Sequence, residues 1–346
     1  MKKYPAQFLN TFATELLTRQ GLEKNKAESV ARILVEGDLL GHDTHGLALL
    51  PGYLQELETG SMAKTGEPET VNSFPATALW DGHRLPGPYL VEKALTATTE
   101  MAKTYGTGTI TIRRSHHIAC LAAYLKPVTD SGLVVQILSS DPNAASVAPF
   151  GGREPRFTPN PIAVGIPSSD NPILVDISAS ITTNGMVNRY AQKGQQFSYP
   201  CLIDAQGNPT TDPQEVNQKG GTILPLGGVE TGHKGFGLAL MIEALTGGLA
   251  AFGRADKKEG WGATVFVQVL HPEAFGGISG FKRQLDWLSE ACRSSKPAAG
   301  FSSVRLPGQR GLALRKRQLT EGVQLQESIM PRLEEWAEKL GVGLPE

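Results

Sequence analysis

The sequence predicts an α/β fold of mixed α+β kind, an α/β middle flanked by helical ends. Three observations carry this. Apolar residues recur at helical spacing in the first 60 positions and again near the C-terminus. Between them, Thr107-Gly108-Thr109-Ile110-Thr111-Ile112 alternates as a strand does, and Leu133-Val134-Val135-Gln136-Ile137-Leu138 is an apolar run of strand length. The polar stretch 61–76 carries Pro and Gly without any sustained period and sets a boundary between the two textures.

In chain order, Phe8, Leu9, Phe12, Leu16 and Leu17 define a first helix that stops at Gly21. Residues 24–40 form a second, with Val30, Ile33, Leu34 and Leu39 on its apolar side and Gly41 as its stop. A third covers 47–58. Past Pro86 a helix over 89–105 leads through Gly106 into the strand 107–112. A helix over 118–130 then precedes the strand 133–138. Residues 161–167 and 172–178 read as a strand pair around the turn Ser168-Ser169-Asp170-Asn171. Residues 191–233 are rich in loops, and 236–249 is apolar enough for a buried helix. A strand over 264–270 and an amphipathic helix over 280–294 follow. The chain ends on a helix over 328–340, with Ile329, Leu333, Trp336 and Leu340 on one face and Pro331 tolerated in the first turn. No internal repeat or low-complexity tract interrupts this order.

The 346 residues suffice for about two domains at roughly 150 residues each. A net charge of −1 argues against nucleic acid held by bulk positive charge. No apolar run approaches the roughly 18 residues of a membrane span. The N-terminal residues show no apolar stretch of signal-peptide type. Cys120, Cys201 and Cys292 are widely spaced with no CxxC pair and read as reduced thiols of a cytoplasmic protein. Glycine is in excess: 39 residues, roughly 11% against an ordinary 7% or so.

Five of the seven histidines fall in three short regions, His42 with His45, His116 with His117, and His233. Histidine titrates near neutrality and suits proton transfer, although any one of them alone is as well explained as a hydrogen-bonded structural residue. Their spacing argues against a simple zinc site, HExxH is absent, and no metal is expected. The glycines cluster at Phe150-Gly151-Gly152, Gly227-Gly228 and Gly232-His233-Lys234-Gly235-Phe236-Gly237. The last precedes an apolar helix, and backbone amides with Lys234 there suit a phosphate. Glycines that permit tight turns or close helix packing are the competing explanation. Neither a P-loop nor a Rossmann GxGxxG is present.

Seven motifs in one order carry a resemblance: Asp43-Thr44-His45-Gly46 with Pro51 and Tyr53, Ser115-His116-His117, Pro149-Phe150-Gly151-Gly152, Thr158-Pro159-Asn160-Pro161-Ile162-Ala163, Val175-Asp176-Ile177-Ser178, Gly232-His233-Lys234-Gly235-Phe236-Gly237 and Leu306-Pro307-Gly308. From about residue 7 to about residue 340 the chain resembles the malate/L-lactate dehydrogenase family of NAD(P)-dependent oxidoreductases, which is unrelated to the Rossmann-type lactate and malate dehydrogenases. Ser115-His116-His117, Pro200-Cys201-Leu202-Ile203-Asp204 and His233-Lys234-Gly235 look most like its hydroxycarboxylate dehydrogenases. The resemblance implies a non-Rossmann cofactor domain on a mixed, largely antiparallel sheet. It also implies a helical domain from both chain ends, 1–75 packing with 311–346, beside an α/β region over 76–310 that binds cofactor and substrate, and a homodimer.

Residue roles follow from the same resemblance. The family's Ser-His-Gly histidine falls on His45, with Thr44 in place of the serine. A second histidine falls on His117, the favoured acid/base, with His45 orienting the substrate and sharing the role; His116 is structural. Cofactor contacts fall on Ser140, on Asp176, Ile177 and Ser178, on Lys234, and on Gly308, Gln309 and Arg310. Asp141 beside Ser140 disfavours a 2′-phosphate, so NAD is expected over NADP. Leu49 stands where many members carry an arginine for a substrate carboxylate. That shifts preference toward apolar substituents and leaves the carboxylate to Thr44, Arg189 or backbone amides. Thr158-Pro159 and Ala119 are further departures. The expected reaction interconverts a 2-hydroxy acid and a 2-oxo acid. The alternatives are reduction of a cyclic imine carboxylate, a nucleotide-binding homologue without turnover, and a metal-dependent hydrolase.

Overall fold

A computed structural model describes residues 2–343. The chain begins with β1 (Lys3–Tyr4), α1 (Ala6–Arg19), α2 (Lys24–Leu39) and α3 (Leu50–Glu58), the last entered through a 3₁₀ turn at Leu47–Leu49. Next come β2 (Glu69–Phe74), β3 (Thr77–Asp81), α4 (Gly87–Tyr105), β4 (Thr107–Ser115), α5 (Leu125–Asp130), β5 (Val134–Ser140), β6 (Pro161–Ile166) and β7 (Ile173–Ser178). A smaller lobe follows, with α6 (Asn184–Gln192), β8 (Leu202–Ile203), β9 (Pro209–Thr210), α7 (Pro213–Gln218) and β10 (Thr222–Ile223). The rest is α8 (Gly228–Thr231), α9 (His233–Glu243), β11 (Ala263–Leu270), α10 (Ile278–Arg293), α11 (Gln309–Glu321), β12 (Val323–Gln324) and α12 (Ile329–Leu340).

Seven strands form one sheet in the order β2-β3-β4-β11-β5-β6-β7. Only β3 and β4 are parallel, joined by α4 as a crossover; the other neighbours are antiparallel. The sheet is therefore mixed and largely antiparallel, as the resemblance implied. Strand alternation assigns side chains to two cores. Val265, Val267 and Val269 of β11 join Ile110 and Ile112 of β4 in the main core with the terminal helices, while Phe266 and Leu138 face a second core with Val187, Leu202 and Ile242. The chain ends meet directly: β1 pairs with β12, and α12 packs on α1 and α3. Among the described residues no helix is long and apolar enough to cross a membrane.

Several expectations need correction. Residues 118–130 are not one helix. Ala119 adopts φ +58°, which breaks helical continuation, and a 3₁₀ turn at Leu121–Tyr124 precedes the short α5. The stretch 61–76 contains β2, every residue of which is exposed, so no apolar alternation marks it. The loop-rich stretch holds α7, α8 and three two-residue strands. Residues 236–249 are helical but buried on one side only: Ala239 and Ile242 enter the second core, α9 runs on into a π-helical turn at Ala244–Gly248, and Leu240, Met241 and Leu249 stay exposed. Helix α11 gives no apolar stripe, because only Leu312 and Gln318 are buried.

Helix α2 is the central support. It packs on α1, α4 and α11 and ends in the loop that carries the first two histidines. Leu34 on it is fully buried. Leu34→Ala is expected to cost about 2–5 kcal/mol in urea unfolding; a loss below about 1 kcal/mol would contradict this packing.

Candidate active site

The histidine loop is built by the end of α2. Gly41, at φ +83°, turns the chain out of the helix. The buried Asp38 side chain accepts a hydrogen bond from the Leu47 amide at 2.8 Å. A Cβ at Gly46 would lie 2.2 Å from the same carboxyl, so position 46 admits only glycine without rearrangement. Burial pushes the Asp38 carboxyl up to about 7, against the opposing Leu47 amide. Thr44 Oγ1 sits 2.9 Å from His45 Nδ1.

The second histidine pair leaves the end of β4, next to the start of α4. Gly87 permits this closeness, since a Cβ there would come within 2.3 Å of the His117 carbonyl. Tyr53 of α3, fully buried, lies 2.8 Å from His117 Nδ1 and 3.2 Å from the His117 carbonyl oxygen. The His117 and His45 rings stack with centroids 6.1 Å apart, and Trp261 lies 4.7 Å from the His117 ring on a tilted plane. Trp261 is fixed from outside by Arg84, which donates to its carbonyl at 3.1 Å. His116 is enclosed between Tyr53 and Trp261, with Nε2 3.2 Å from Glu56.

Burial holds all three imidazoles below the ordinary histidine value. His45 falls to about 4, with His42 adding to the effect and Asp43 opposing it. His116 falls to about 3, with the Arg84 guanidinium adding to it. His117 lies well below its usual value, with His45 and His116 adding to the effect of burial. The Glu56 contact is therefore a hydrogen bond from a neutral His116 ring and not an ion pair.

A cleft of about 760 Å³ opens on the other side of the histidine loop. His42, Asp43, Asp176, Ile177, Gly308 and Arg310 line it. Gly308, at φ +82°, lets its loop approach β7 closely: the Leu174 amide donates to Pro307, and a Cβ at 308 would lie 2.7 Å from that of Leu174. Gln309 Oε1 accepts from the Leu306 amide and shapes the same loop. Asp176 accepts from the Ala122 amide at 2.9 Å, and burial pushes its carboxyl up. Ser178 donates to the Ser180 carbonyl.

The expected site residues thus fall into groups. Thr44, His45 and His117 come together, and a Cβ at Gly185 near the start of α6 would come within 3.3 Å of the Thr44 side chain. Asp176, Ile177, Gly308 and Arg310 share the cleft. Leu49 is half-buried against the main core. Arg189 pairs with Asp43 at 3.1 Å through Nη1. Ser140 lies apart from the cleft lining: its buried hydroxyl donates to Glu243 at 2.7 Å and accepts from Arg254. Lys234 is exposed in the first turn of α9, and the Gly235 amide there is taken by the Leu226 carbonyl. Gly235 serves close packing, since a Cβ would lie 2.3 Å from the Leu226 amide nitrogen. Sequence reasoning quoted Tyr53 without giving it a role. It missed Asp38, the Glu243–Arg254 pair and Trp261, whose flanking Gly260 and Gly262 were the available signal.

The depressed His116 value has a stability consequence. The unfolded chain takes up a proton at this residue near pH 6.5 while the folded chain does not until about 3. The contribution of His116 is therefore complete above about pH 6.5 and is lost progressively as pH falls from there toward 3. His116→Gln, which retains a donor for Glu56, is expected to lose less stability than wild type between pH 7 and 5 in thermal unfolding. An equal loss would contradict a neutral buried His116.

A sequence profile described as malate/L-lactate dehydrogenase matches residues 4–334. A malate/(S)-sulfolactate dehydrogenase from Methanothermus fervidus is 30% identical over 337 residues, covering 95% of this chain and 96% of the relative. Hydroxycarboxylate dehydrogenase B from Escherichia coli K12 is 28% identical over 354 residues, covering 99% and 95%. The solved structure of malate dehydrogenase from Pyrococcus horikoshii OT3 superposes with a TM-score of 0.90 at 27% identity, covering 99% of this chain and 96% of that one. The chain belongs to the malate/L-lactate dehydrogenase family and is an oxidoreductase of its hydroxy-acid dehydrogenase kind, acting on CH–OH groups.

Proposed function

We propose that this chain is a nicotinamide-nucleotide-dependent dehydrogenase that interconverts a 2-hydroxy acid and a 2-oxo acid, with His117 as acid/base and His45 orienting the substrate. The observation that carries the reading is the contact of Tyr53 with both the ring and the carbonyl of His117. In this reading the tyrosine proton goes to the carbonyl, which only accepts, and the tyrosine oxygen accepts His117 Nδ1–H, so the longer 3.4 Å approach of the Ala119 amide to Nδ1 is a packing contact and not a hydrogen bond. That assignment leaves Nε2 with a free lone pair. Neutral imidazole is the form that burial favours at His117.

The nicotinamide, when bound, supplies hydride exchange with carbon 2 of the substrate. The chain's own residues handle the proton. In oxidation, His117 Nε2 takes the hydroxyl proton as the alcohol becomes a carbonyl; in reduction, the imidazolium returns it to the carbonyl oxygen. The dry walls supplied by Trp261 and Tyr53 keep bulk water from competing for it. Thr44 holds the His45 ring by its Nδ1. Arg189 keeps Nη2 for a substrate carboxylate, because both Asp43 contacts use Nη1. Leu49 offers an apolar surface where a second carboxylate would otherwise find an arginine.

The cleft fits a dinucleotide in size and in chemistry. Asp176 would accept from a ribose or carboxamide group, Ile177 and Gly308 line the wall, and Ser178 and Gln309 adjoin them along the chain. Arg310 and the exposed Lys234 would meet the diphosphate. Ser140 would act through Glu243 and Arg254, which occupy its hydroxyl. Asp141 favours NAD over NADP. A homodimer would cover the apolar face of α9 at Leu240, Met241 and Leu249.

The test is a panel of pyruvate, oxaloacetate, 2-oxoglutarate, phenylpyruvate and a cyclic imine carboxylate with NADH and NADPH, read as loss of reduced-nicotinamide absorbance. At least one 2-oxo acid is expected to be reduced, faster with NADH. His117→Ala should lower turnover by about 10²–10⁴-fold while retaining NADH affinity. Consumption with no 2-oxo acid, or near-wild-type turnover of His117→Ala, contradicts the proposal.

A further inference from the structure

The cleft wall carries a cluster that the proton chemistry does not use. His42, Cys120 and Asp176 each present one ligand atom, all within 4.8 Å of one another. They come from three elements: the loop after α2, the start of the 3₁₀ turn at Leu121–Tyr124, and β7. Separations of 78 and 56 residues explain why no spacing motif announced them.

Each group is disposed toward the others. Cys120 is 2% exposed and has no disulfide partner. Its sulfur lies 3.9 Å from Asp176 Oδ2. Asp176 is anchored by the Ala122 amide, which fixes its carboxylate against the thiol. The His42 backbone is pinned at both ends, its amide donating to Gly37 and its carbonyl accepting from His45. Its ring takes part in no hydrogen bond among the described residues. Imidazole nitrogen, thiolate sulfur and carboxylate oxygen together form a ligand set of zinc character, too soft for magnesium or calcium.

The distances are compatible. Bonds of roughly 2.0–2.3 Å place tetrahedral ligand atoms roughly 3.3–3.8 Å apart. From separations of up to 4.8 Å the three atoms therefore need to close by roughly 1.5 Å at most, within the reach of side-chain torsions. His42 and Asp176 line the cleft, so water or an exogenous ligand from it can supply a fourth position.

We infer that His42, Cys120 and Asp176 form a binding site for a single d-block dication of the zinc class in the cleft wall. Binding replaces the Cys120 S–H bond by a metal–sulfur bond and releases that proton to solvent. On the dehydrogenase reading above, an ion at Asp176 competes with the cofactor, so the site would be inhibitory and not catalytic.

The test is independent of that reading because it uses the nucleotide-free protein. Cobalt(II) is titrated into the reduced full-length chain and followed by optical absorption. The expected result is one cobalt per chain, with a thiolate-to-cobalt charge-transfer band, visible bands of tetrahedral intensity, and displacement of both by zinc. Cys120→Ser should remove the charge-transfer band, and His42→Ala should weaken cobalt binding by more than about tenfold. Cys292→Ser, which alters a half-exposed thiol outside the cluster, should leave both bands unchanged, and circular dichroism of Cys120→Ser checks that this variant folds. Absence of the charge-transfer band in the wild-type chain, or its persistence in Cys120→Ser, overturns the inference.

Discussion

The site depends on one buried contact, that between the Tyr53 hydroxyl and His117. A hydroxyl with no access to water must find partners within the protein. Tyr53 finds two on the same residue, the ring nitrogen and the backbone carbonyl. Burial drives the tyrosine far above its ordinary range, so it stays a neutral donor and acceptor across the working pH range. The ring it holds is itself kept neutral by burial. The remaining features serve to bring α3, the end of β4 and the loop after α2 to this point.

Glycines and one buried carboxyl make the approach possible. Gly87 lets α4 start against the His117 backbone, and Gly46 lets the histidine loop close over Asp38. Asp38 then caps the turn that leads into α3, the helix that carries Tyr53. A single structural path thus runs from the buried face of α2 through Asp38 to the residue that orients His117. The sheet completes the arrangement from the other side. Its antiparallel register ends β4 beside β11, where Ala263 pairs with Ser115, and this brings Trp261 over the histidines.

Much of this was legible in the sequence, and the exceptions have physical causes. Helices with one apolar stripe, such as α1, α2, α4 and α12, and strands such as β4, β5 and β11 announced themselves by period. The strand β2 did not, because it is exposed at an edge, and α11 did not, because only two of its residues are buried. The apolar character of residues 236–249 was read correctly as helix, but only half of it is burial, since Ala239 and Ile242 enter a core while Leu240, Met241 and Leu249 stay exposed. At the site, His45, His117 and Asp176 stood in motifs. Trp261, Asp38 and the His42–Cys120–Asp176 cluster did not, because tertiary contacts between distant segments create them and no local spacing encodes such contacts. Lys234 and its glycines read as a phosphate cradle; the Gly235 amide is taken by Leu226, which leaves the exposed Lys234 ammonium as the group there for a phosphate.

The contact between Tyr53 and His117 can be examined directly. Long-range ¹H–¹⁵N correlation spectra of the histidine rings distinguish the two neutral tautomers, and His117→Gln assigns the relevant signals. The proposed acid/base role of His117 predicts a neutral ring at pH 7 with the proton on Nδ1 and a bare Nε2. A ring protonated at Nε2 with a bare Nδ1 would contradict it, because that tautomer has no lone pair to offer the substrate hydroxyl.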